Sequence, residues 1–142
     1  LATASEDETA RLWDVSTGKC LAVLESHTDV VLSVAFSFDG RLLATAGCDQ
    51  TACVWDVASR TVETQLEGHV HTVAAVSFSP DGKLLATASL DYSGRVWDMA
   101  SGDCVAVLEG HTNYVVGVSF CSSSKLIATA SWDHTARLWE AN

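Results

Sequence analysis

The residues that most directly suggest chemistry are a histidine, a serine, an aspartate and a tryptophan that recur together along the chain. In hydrolases, a serine, a histidine and an aspartate act as the nucleophile, the general base and the acid that orients the base. Hydrolysis is therefore the first hypothesis to compare with the rest of the sequence. The two complete sets are His69, Ser89, Asp91 and Trp97, and His111, Ser131, Asp133 and Trp139.

Repetition of the set argues against catalysis, because enzymes have one or a few active sites. An earlier stretch keeps His27, Asp49 and Trp55 although Gly47 supplies no hydroxyl, and the opening stretch keeps only Ser5, Asp7 and Trp13. We therefore predict a structural role, and hydrolysis is the least favoured of three function hypotheses.

Metal and cofactor sites are not expected. His69 and His71 form a His-x-His pair, but no cysteine or acidic residue lies at an offset that would complete a metal site. The five cysteines are an odd number without a CxxC pair, which is not the pattern of a disulfide framework or a zinc site. Free thiols favour an intracellular setting, cytoplasmic or nuclear.

The charge balance narrows the class of partner. Eighteen acidic residues against eight basic ones give a net charge of −10. Nucleic acids and anionic membrane surfaces are bound mainly by Lys and Arg, so neither is expected as a partner. The longest apolar stretches, such as VVLSVAF, are too short to cross a bilayer. A protein or peptide, preferably a basic one, fits this charge best.

The elements that position these residues follow a period of 42 residues, the spacing of Trp13, Trp55, Trp97 and Trp139. Within each period, short runs such as VVLSVAFS and LLATAG are typical of strands, and FDG, SPDG and STG are typical of turns. No stretch of ten or more residues has helical periodicity. Four strands in about 40 residues, repeated, predict a row of small antiparallel sheets that bury their faces against one another.

Residues 68–98, GHVHTVAAVSFSPDGKLLATASLDYSGRVWD, resemble a WD repeat of the β-propeller family. The Gly-His start, the SPDG turn, the aspartate six residues before tryptophan and the final Trp-Asp are all present. Departures elsewhere are Ser26 for glycine, Gly47 for serine, CSSS for SPDG and Glu140 for aspartate. The resemblance implies that each set is a buried tetrad. In it the aspartate accepts from the histidine, the histidine bonds the serine hydroxyl, and that hydroxyl meets the indole N–H.

The resemblance also implies an all-β fold of β-propeller blades, which are four-stranded antiparallel sheets, with fourteen strands in this chain. The expected segments are a partial blade at 1–26, blades at 27–68 and 69–110, and a partial blade at 111–142. Because propellers have four to eight blades, the ring is incomplete in a single chain. We expect either an excerpt of a longer propeller or a homo-oligomer in which copies of the chain complete the ring.

A binding surface is expected where the repeats differ. The residue before the repeated aspartate varies, and in the family this turn and the loop after Gly-His lie on the face that binds peptides or protein loops. Trp132 and Tyr114 have the aromatic character of interface hot spots. Alternatively, Trp132 packs over a neighbouring blade or caps the end of an incomplete core, and the other candidates are structural or solvated loop residues. The candidates are Glu6, Cys48, Leu90, Trp132, Asp29, His71, Asn113 and Tyr114.

The function expected from the sequence is a non-enzymatic scaffold that mediates protein–protein interaction through this loop face. The alternative is a partial propeller that assembles with its own copies, and the third hypothesis is the hydrolase. No cofactor is expected under the first two.

Overall fold

A computed structural model describes residues 1–141, which form fourteen β-strands and no helix. Asn142, the last residue of the predicted fourth segment, lies outside the described residues. The strands are β1 (Ala2–Ala4), β2 (Thr9–Trp13), β3 (Cys20–Glu25), β4 (Val31–Phe36), β5 (Leu42–Gly47), β6 (Ala52–Asp56), β7 (Thr61–Leu66), β8 (Val73–Phe78), β9 (Leu84–Ser89), β10 (Gly94–Asp98), β11 (Cys104–Leu108), β12 (Val115–Phe120), β13 (Leu126–Ser131) and β14 (Ala136–Glu140).

The strands form four antiparallel sheets, which we number first to fourth in chain order. The first sheet is β1-β2-β3, the second is β4-β5-β6-β7, the third is β8-β9-β10-β11 and the fourth is β12-β13-β14. Each sheet packs on the next one in sequence, and residues 1–141 do not close a ring. The predicted all-β fold of incomplete propeller blades is confirmed. In these residues no helix is long and apolar enough to cross a membrane.

The strands form where apolar side chains alternate between the two faces of a sheet. In β5, Leu42 and Ala44 pack against the third sheet, whereas Leu43 packs against the first. Both faces of the second and third sheets are therefore covered by neighbours. This explains why β5 is buried along its whole length and lacks an alternation between polar and apolar residues.

Trp55, Trp97 and Trp139 each pack back onto the preceding sheet. Trp97 joins Leu42, Val54 and Val76 in the core between the second and third sheets, and Trp55 joins Leu24 in the core between the first and second. Burying an aliphatic side chain such as that of Leu42 or Val54 in this core stabilises the fold by about 1.5–3 kcal/mol relative to leaving it exposed. The 42-residue spacing thus places one tryptophan ring in each gap between described sheets.

Candidate protein-binding face

A histidine, an aspartate, a threonine and a tryptophan form a connected hydrogen-bond network in the third sheet. His69 Nδ1 lies 2.7 Å from the Asp91 carboxylate, and His69 Nε2 lies 2.7 Å from Thr87 Oγ1. The indole N–H of Trp97 donates to the same Thr87 oxygen at 3.0 Å. Once Nδ1–H is donated to the carboxylate, Nε2 can accept the threonine hydroxyl hydrogen, and the threonine oxygen remains free to accept from the indole.

The prediction that serine supplies the hydroxyl of this network is wrong. Ser89 Oγ instead donates to the carbonyl of His71 and accepts from the Asp91 N–H, both at 3.1 Å. Ser89 is the last residue of β9, two positions beyond Thr87, so it meets loop backbone and does not reach the imidazole. Ser131 makes the same pair of backbone bonds in the fourth sheet, and Ser5 accepts from the Asp7 N–H at 3.3 Å.

Threonine explains why the second sheet keeps an intact network although Gly47 has no hydroxyl. There Thr45 Oγ1 lies 2.8 Å from His27 Nε2 and accepts from Trp55 at 3.0 Å, while His27 Nδ1 lies 2.7 Å from Asp49. A signal for this role was present in the sequence, because threonine also recurs every 42 residues. The four positions are Thr3, Thr45, Thr87 and Thr129.

The two end sheets differ in how complete the network is. In the fourth sheet, His111 bonds Asp133 at 2.7 Å and Thr129 at 2.8 Å, and Trp139 donates to Thr129 at 2.9 Å. In the first sheet, Trp13 still donates to Thr3 at 2.8 Å, but Asp7 pairs with Arg11 at 2.9 Å in place of a histidine.

These contacts determine the electrostatics of the buried aspartates. Burial alone would raise the pKa of Asp91, but hydrogen bonds from His69 and Ser93 outweigh it and hold the pKa below its ordinary value. Both ring nitrogens of His69 are occupied, which leaves no lone pair for a general base. The arrangement therefore favours a structural network over a catalytic site, and each hydroxyl lies inside the sheet and not in a cleft.

The network fixes two loops that lie on one face of the molecule. The first-strand loops are residues 26–30, 68–72 and 110–114, and the aspartate turns are residues 6–8, 48–51, 90–93 and 132–135; together we call them the loop face. In the third sheet the Asp91 carboxylate accepts the Val70 N–H of the first-strand loop at 3.3 Å and the Ser93 N–H of its own turn at 3.0 Å. The same carboxylate thus ties the two loops together.

The structure brings several of the predicted binding residues into contact on this face. The rings of Tyr114 and Trp132 have centroids 5.3 Å apart, and the rings of His71 and Tyr114 are 6.0 Å apart. The backbone N–H of Trp132 donates to the backbone carbonyl of Tyr114 at 2.9 Å, and Asn113 Nδ2 donates to the backbone carbonyl of Trp132 at 3.5 Å. The backbone of Trp132 is held in this way while 59% of the residue stays exposed, so it is not covered by a neighbouring sheet.

Tyr92 belongs to the same cluster and was missed from the sequence. Its ring centroid lies 5.7 Å from that of Tyr114, and the residue is 47% exposed. It follows Asp91 in the turn and has a φ of 74°, a left-handed conformation that bulky residues rarely adopt. An aromatic side chain directly after the repeated aspartate was the available signal. We call the set His71, Tyr92, Tyr114 and Trp132 the aromatic cluster.

The remaining candidates lie on the loop face but are not members of the aromatic cluster. Leu90 and Cys48 are half-buried, and their N–H groups donate to first-strand loops, to Thr72 at 3.0 Å and to Val30 at 2.9 Å. Glu6 and Asp29 are exposed, and the Asp29 carboxylate accepts the N–H of the next residue at 2.7 Å.

Charge is distributed unevenly between the loop face and the opposite edge of the sheets. None of the seven loop-face segments contains a lysine or an arginine, whereas they include four exposed carboxylates, on Glu6, Asp7, Glu8 and Asp29. Five of the eight basic residues lie in the turns at the opposite edge: Lys19, Arg41, Arg60, Lys83 and Lys125. The loop face is therefore the more negative side of the molecule.

The His-x-His pair does not belong to a metal-binding group in the described part of the chain. Both ring nitrogens of His69 are engaged in the network, and His71 Nδ1 accepts the N–H of Thr72 at 2.8 Å. Among residues 1–141 no three histidine, cysteine or acidic side chains come together as ligands.

Comparison with known proteins follows the 42-residue period. Residues 18–56, 60–98 and 102–140 match the family described as WD domain, G-beta repeat. The chain is 56% identical over 41 residues to the F-box-like/WD repeat-containing protein TBL1X of Mus musculus, covering 29% of this chain and 8% of that protein. It is 54% identical over 43 residues to the nuclear distribution protein PAC1-2 of Uncinocarpus reesii, covering 30% and 9%. The nuclear distribution protein nudF of Aspergillus niger is 49% identical over 43 residues, covering 30% and 10%. Each alignment thus spans about one repeat and a small part of the relative.

Proposed function

The chain belongs to the WD-repeat family, whose members generally mediate protein–protein interaction, and we propose that it is a non-enzymatic scaffold that binds a protein or peptide on its loop face. The observation that carries this proposal is the aromatic cluster, which lies exposed on loops that the buried networks hold in place. Large exposed aromatic side chains on a fixed backbone are typical of interface hot spots.

Rigid loops favour binding because little conformational freedom is lost when a partner docks. In the fourth sheet the Asp133 carboxylate accepts the Thr112 N–H at 3.1 Å and the Thr135 N–H at 2.9 Å, so both loops beside Trp132 are fixed before any partner arrives. Trp132 can then bury its exposed surface on binding without first being ordered.

A basic partner is the one that the charges favour. The acidic loop face would attract it during encounter, and the exposed carboxylates at the rim would pair with its cations. Five free cysteines fit an intracellular, reducing environment for this encounter.

The test is to select short peptides from a random display library on the purified 142-residue chain and to measure their affinities for two variants. Trp132→Ala removes the exposed ring of the cluster, and Phe38→Ala removes an 89% exposed ring from a turn at the opposite edge. We expect Trp132→Ala to weaken binding about tenfold or more, equivalent to about 1.4 kcal/mol, and Phe38→Ala to change little. Unchanged binding by Trp132→Ala would show that the loop face is not the binding surface.

Assembly of the chain with its own copies is the second candidate, and exposure of the fourth sheet favours it. Leu138 is 72% exposed, although the residues at the same place in the inner sheets, Val54 and Val96, are buried against the next sheet. The first sheet in turn presents Trp13 on its outer side, as Trp97 is presented to the second sheet. A second copy could therefore repeat the packing found between inner sheets.

Light scattering behind a sizing column tests this candidate. A defined dimer or trimer that Leu138→Asp disperses would support self-assembly, and Val15→Asp, at an exposed turn, is the control. A monomer at every concentration of the wild-type chain would exclude it.

A further inference from the structure

We propose that the aromatic cluster binds an arginine side chain of an extended basic peptide, an inference that rests on the proposed scaffold function. It specifies the chemistry of the partner: a planar cation received between aromatic rings.

The geometry of the rings favours a planar guest. Tyr114 lies at the centre, with the ring centroids of Trp132, Tyr92 and His71 at 5.3, 5.7 and 6.0 Å. The interplanar angles are 59°, 47° and 50°, so the three neighbouring rings are tilted against Tyr114 and none is stacked parallel to it. A flat guanidinium can stack on the face of an exposed aromatic ring that has no parallel neighbour on it.

No residue in 1–141 covers the exposed surface of the aromatic cluster. Trp132 and Tyr92 are 59% and 47% exposed, although both have large apolar rings. The turn after Asp91 fixes the backbone of Tyr92 at a φ of 74°, and the same turn position in the other three sheets has nearly the same φ. The backbone that presents the Tyr92 ring is therefore set by the repeated turn.

Charge favours a cation over a neutral guest. The turns that present Tyr92 and Trp132 also contain Asp91 and Asp133, and hydrogen bonds keep the pKa of each carboxyl below its ordinary value, so both stay anionic. No loop-face segment contains a lysine or an arginine whose side chain could stack on these rings.

The neighbouring arginines of the chain are directed elsewhere. Arg95 on β10 extends to Gly68, and Arg137 on β14 extends to Gly110, at the outer starts of two first-strand loops. Arg95 also donates to Cys104 Sγ at 3.9 Å. A cation for the aromatic cluster therefore has to come from a partner.

The experiment uses three fluorescent peptides of the same length and the complete 142-residue chain. The first alternates glycine and arginine, the second replaces arginine by lysine, and the third replaces it by citrulline, which keeps the planar shape without the charge. Affinities are measured by fluorescence anisotropy for the wild-type chain and for Trp132→Ala, Trp132→Phe, Tyr92→Ala and the control Phe38→Ala.

We expect the arginine peptide to bind more tightly than the lysine peptide, and both to bind more tightly than the citrulline peptide. Loss of one ring in Trp132→Ala or Tyr92→Ala should weaken the arginine peptide by about 2- to 30-fold, the range of a cation–π contact. Trp132→Phe keeps a ring and should retain most of the affinity, and circular dichroism checks that every variant folds.

Several outcomes would overturn the inference. Equal binding of the citrulline peptide would show that charge is not recognised, and unchanged affinity in Trp132→Ala would assign the binding to general attraction by an acidic chain. Display-selected peptides that need Trp132 but contain no arginine would leave the scaffold function intact and refute this inference alone. Dependence on Phe38 would place the site at the opposite edge.

Discussion

Replacing Thr87 by valine removes one hydroxyl from the third sheet while nearly preserving the shape of the side chain. Thr87 is fully buried, and its oxygen lies 2.7 Å from His69 Nε2 and 3.0 Å from the Trp97 indole nitrogen. Valine suits a strand as well as threonine does, so the substitution tests the hydrogen bonds and not the strand.

The expected magnitude follows from the two polar atoms that lose their partner. Leaving a buried donor or acceptor unsatisfied costs about 1–3 kcal/mol, so the loss of both bonds of Thr87 should destabilise the fold by about 2–6 kcal/mol. Domains are commonly stable by only about 5–15 kcal/mol, which makes such a loss easy to detect.

Urea unfolding followed by far-UV circular dichroism and by tryptophan fluorescence measures the effect, and coincident transitions would show that unfolding is two-state. Thr64→Val on β7 is the matched control, since Thr64 is only half-buried on the outer strand. Ser89→Ala is the second comparison, and we expect a cost of about 1 kcal/mol for its bonds to loop backbone. If Thr87→Val unfolds at the same urea concentration as Thr64→Val, the threonine bridge does not stabilise the sheet.

Three further predictions concern pH, thiol reactivity and a glycine. Because the pKa of Asp91 is below its ordinary value of 3.8 when folded, the chain should lose stability as the pH falls below about 4, and Asp91→Asn should reduce this dependence in urea titrations at each pH. A hydrogen bond with the Ser123 hydroxyl lowers the pKa of the Cys121 thiol to about 7, so iodoacetamide labelling of Cys121 should reach half its maximal rate near pH 7. Ser123→Ala should move that midpoint to higher pH, and an unmoved midpoint would contradict the stated cause. Gly47→Ser should destabilise the chain by about 1–3 kcal/mol although serine occupies this place in other repeats, because a Cβ there would lie 2.7 Å from the Val30 carbonyl oxygen; a urea midpoint equal to that of the wild type would contradict this expectation.

Much of the fold was predictable because its signals are local and repeated. Runs such as LLATAG and the turn residues between them specify short strands, and the 42-residue spacing of Trp55 and Trp97 specifies that each unit repeats the last. The hydrogen bond between His69 and Asp91 was expected from the family resemblance. The same bond recurs between His27 and Asp49 and between His111 and Asp133.

The sequence could not choose between Thr87 and Ser89 as the hydroxyl of the network. Both recur with the same period in the third and fourth sheets, and both lie on the same face of the strand because they are two residues apart. The distance to the imidazole distinguishes them. Thr87 Oγ1 lies 2.7 Å from His69 Nε2, whereas Ser89 Oγ is hydrogen-bonded to the carbonyl of His71 and the N–H of Asp91.

The sequence by itself therefore determined the strands and their repetition, since these depend on residues close together in the chain. Only the tertiary structure decided that His71, Tyr92, Tyr114 and Trp132 form one cluster. Tyr114 and Trp132 both belong to loops of the fourth sheet, whereas His71 and Tyr92 belong to loops of the third and contact Tyr114 because β12 packs beside β8 and β9. The separation between loops of neighbouring sheets is fixed by the side chains that fill the gap between them, a property of packing that no single repeat encodes.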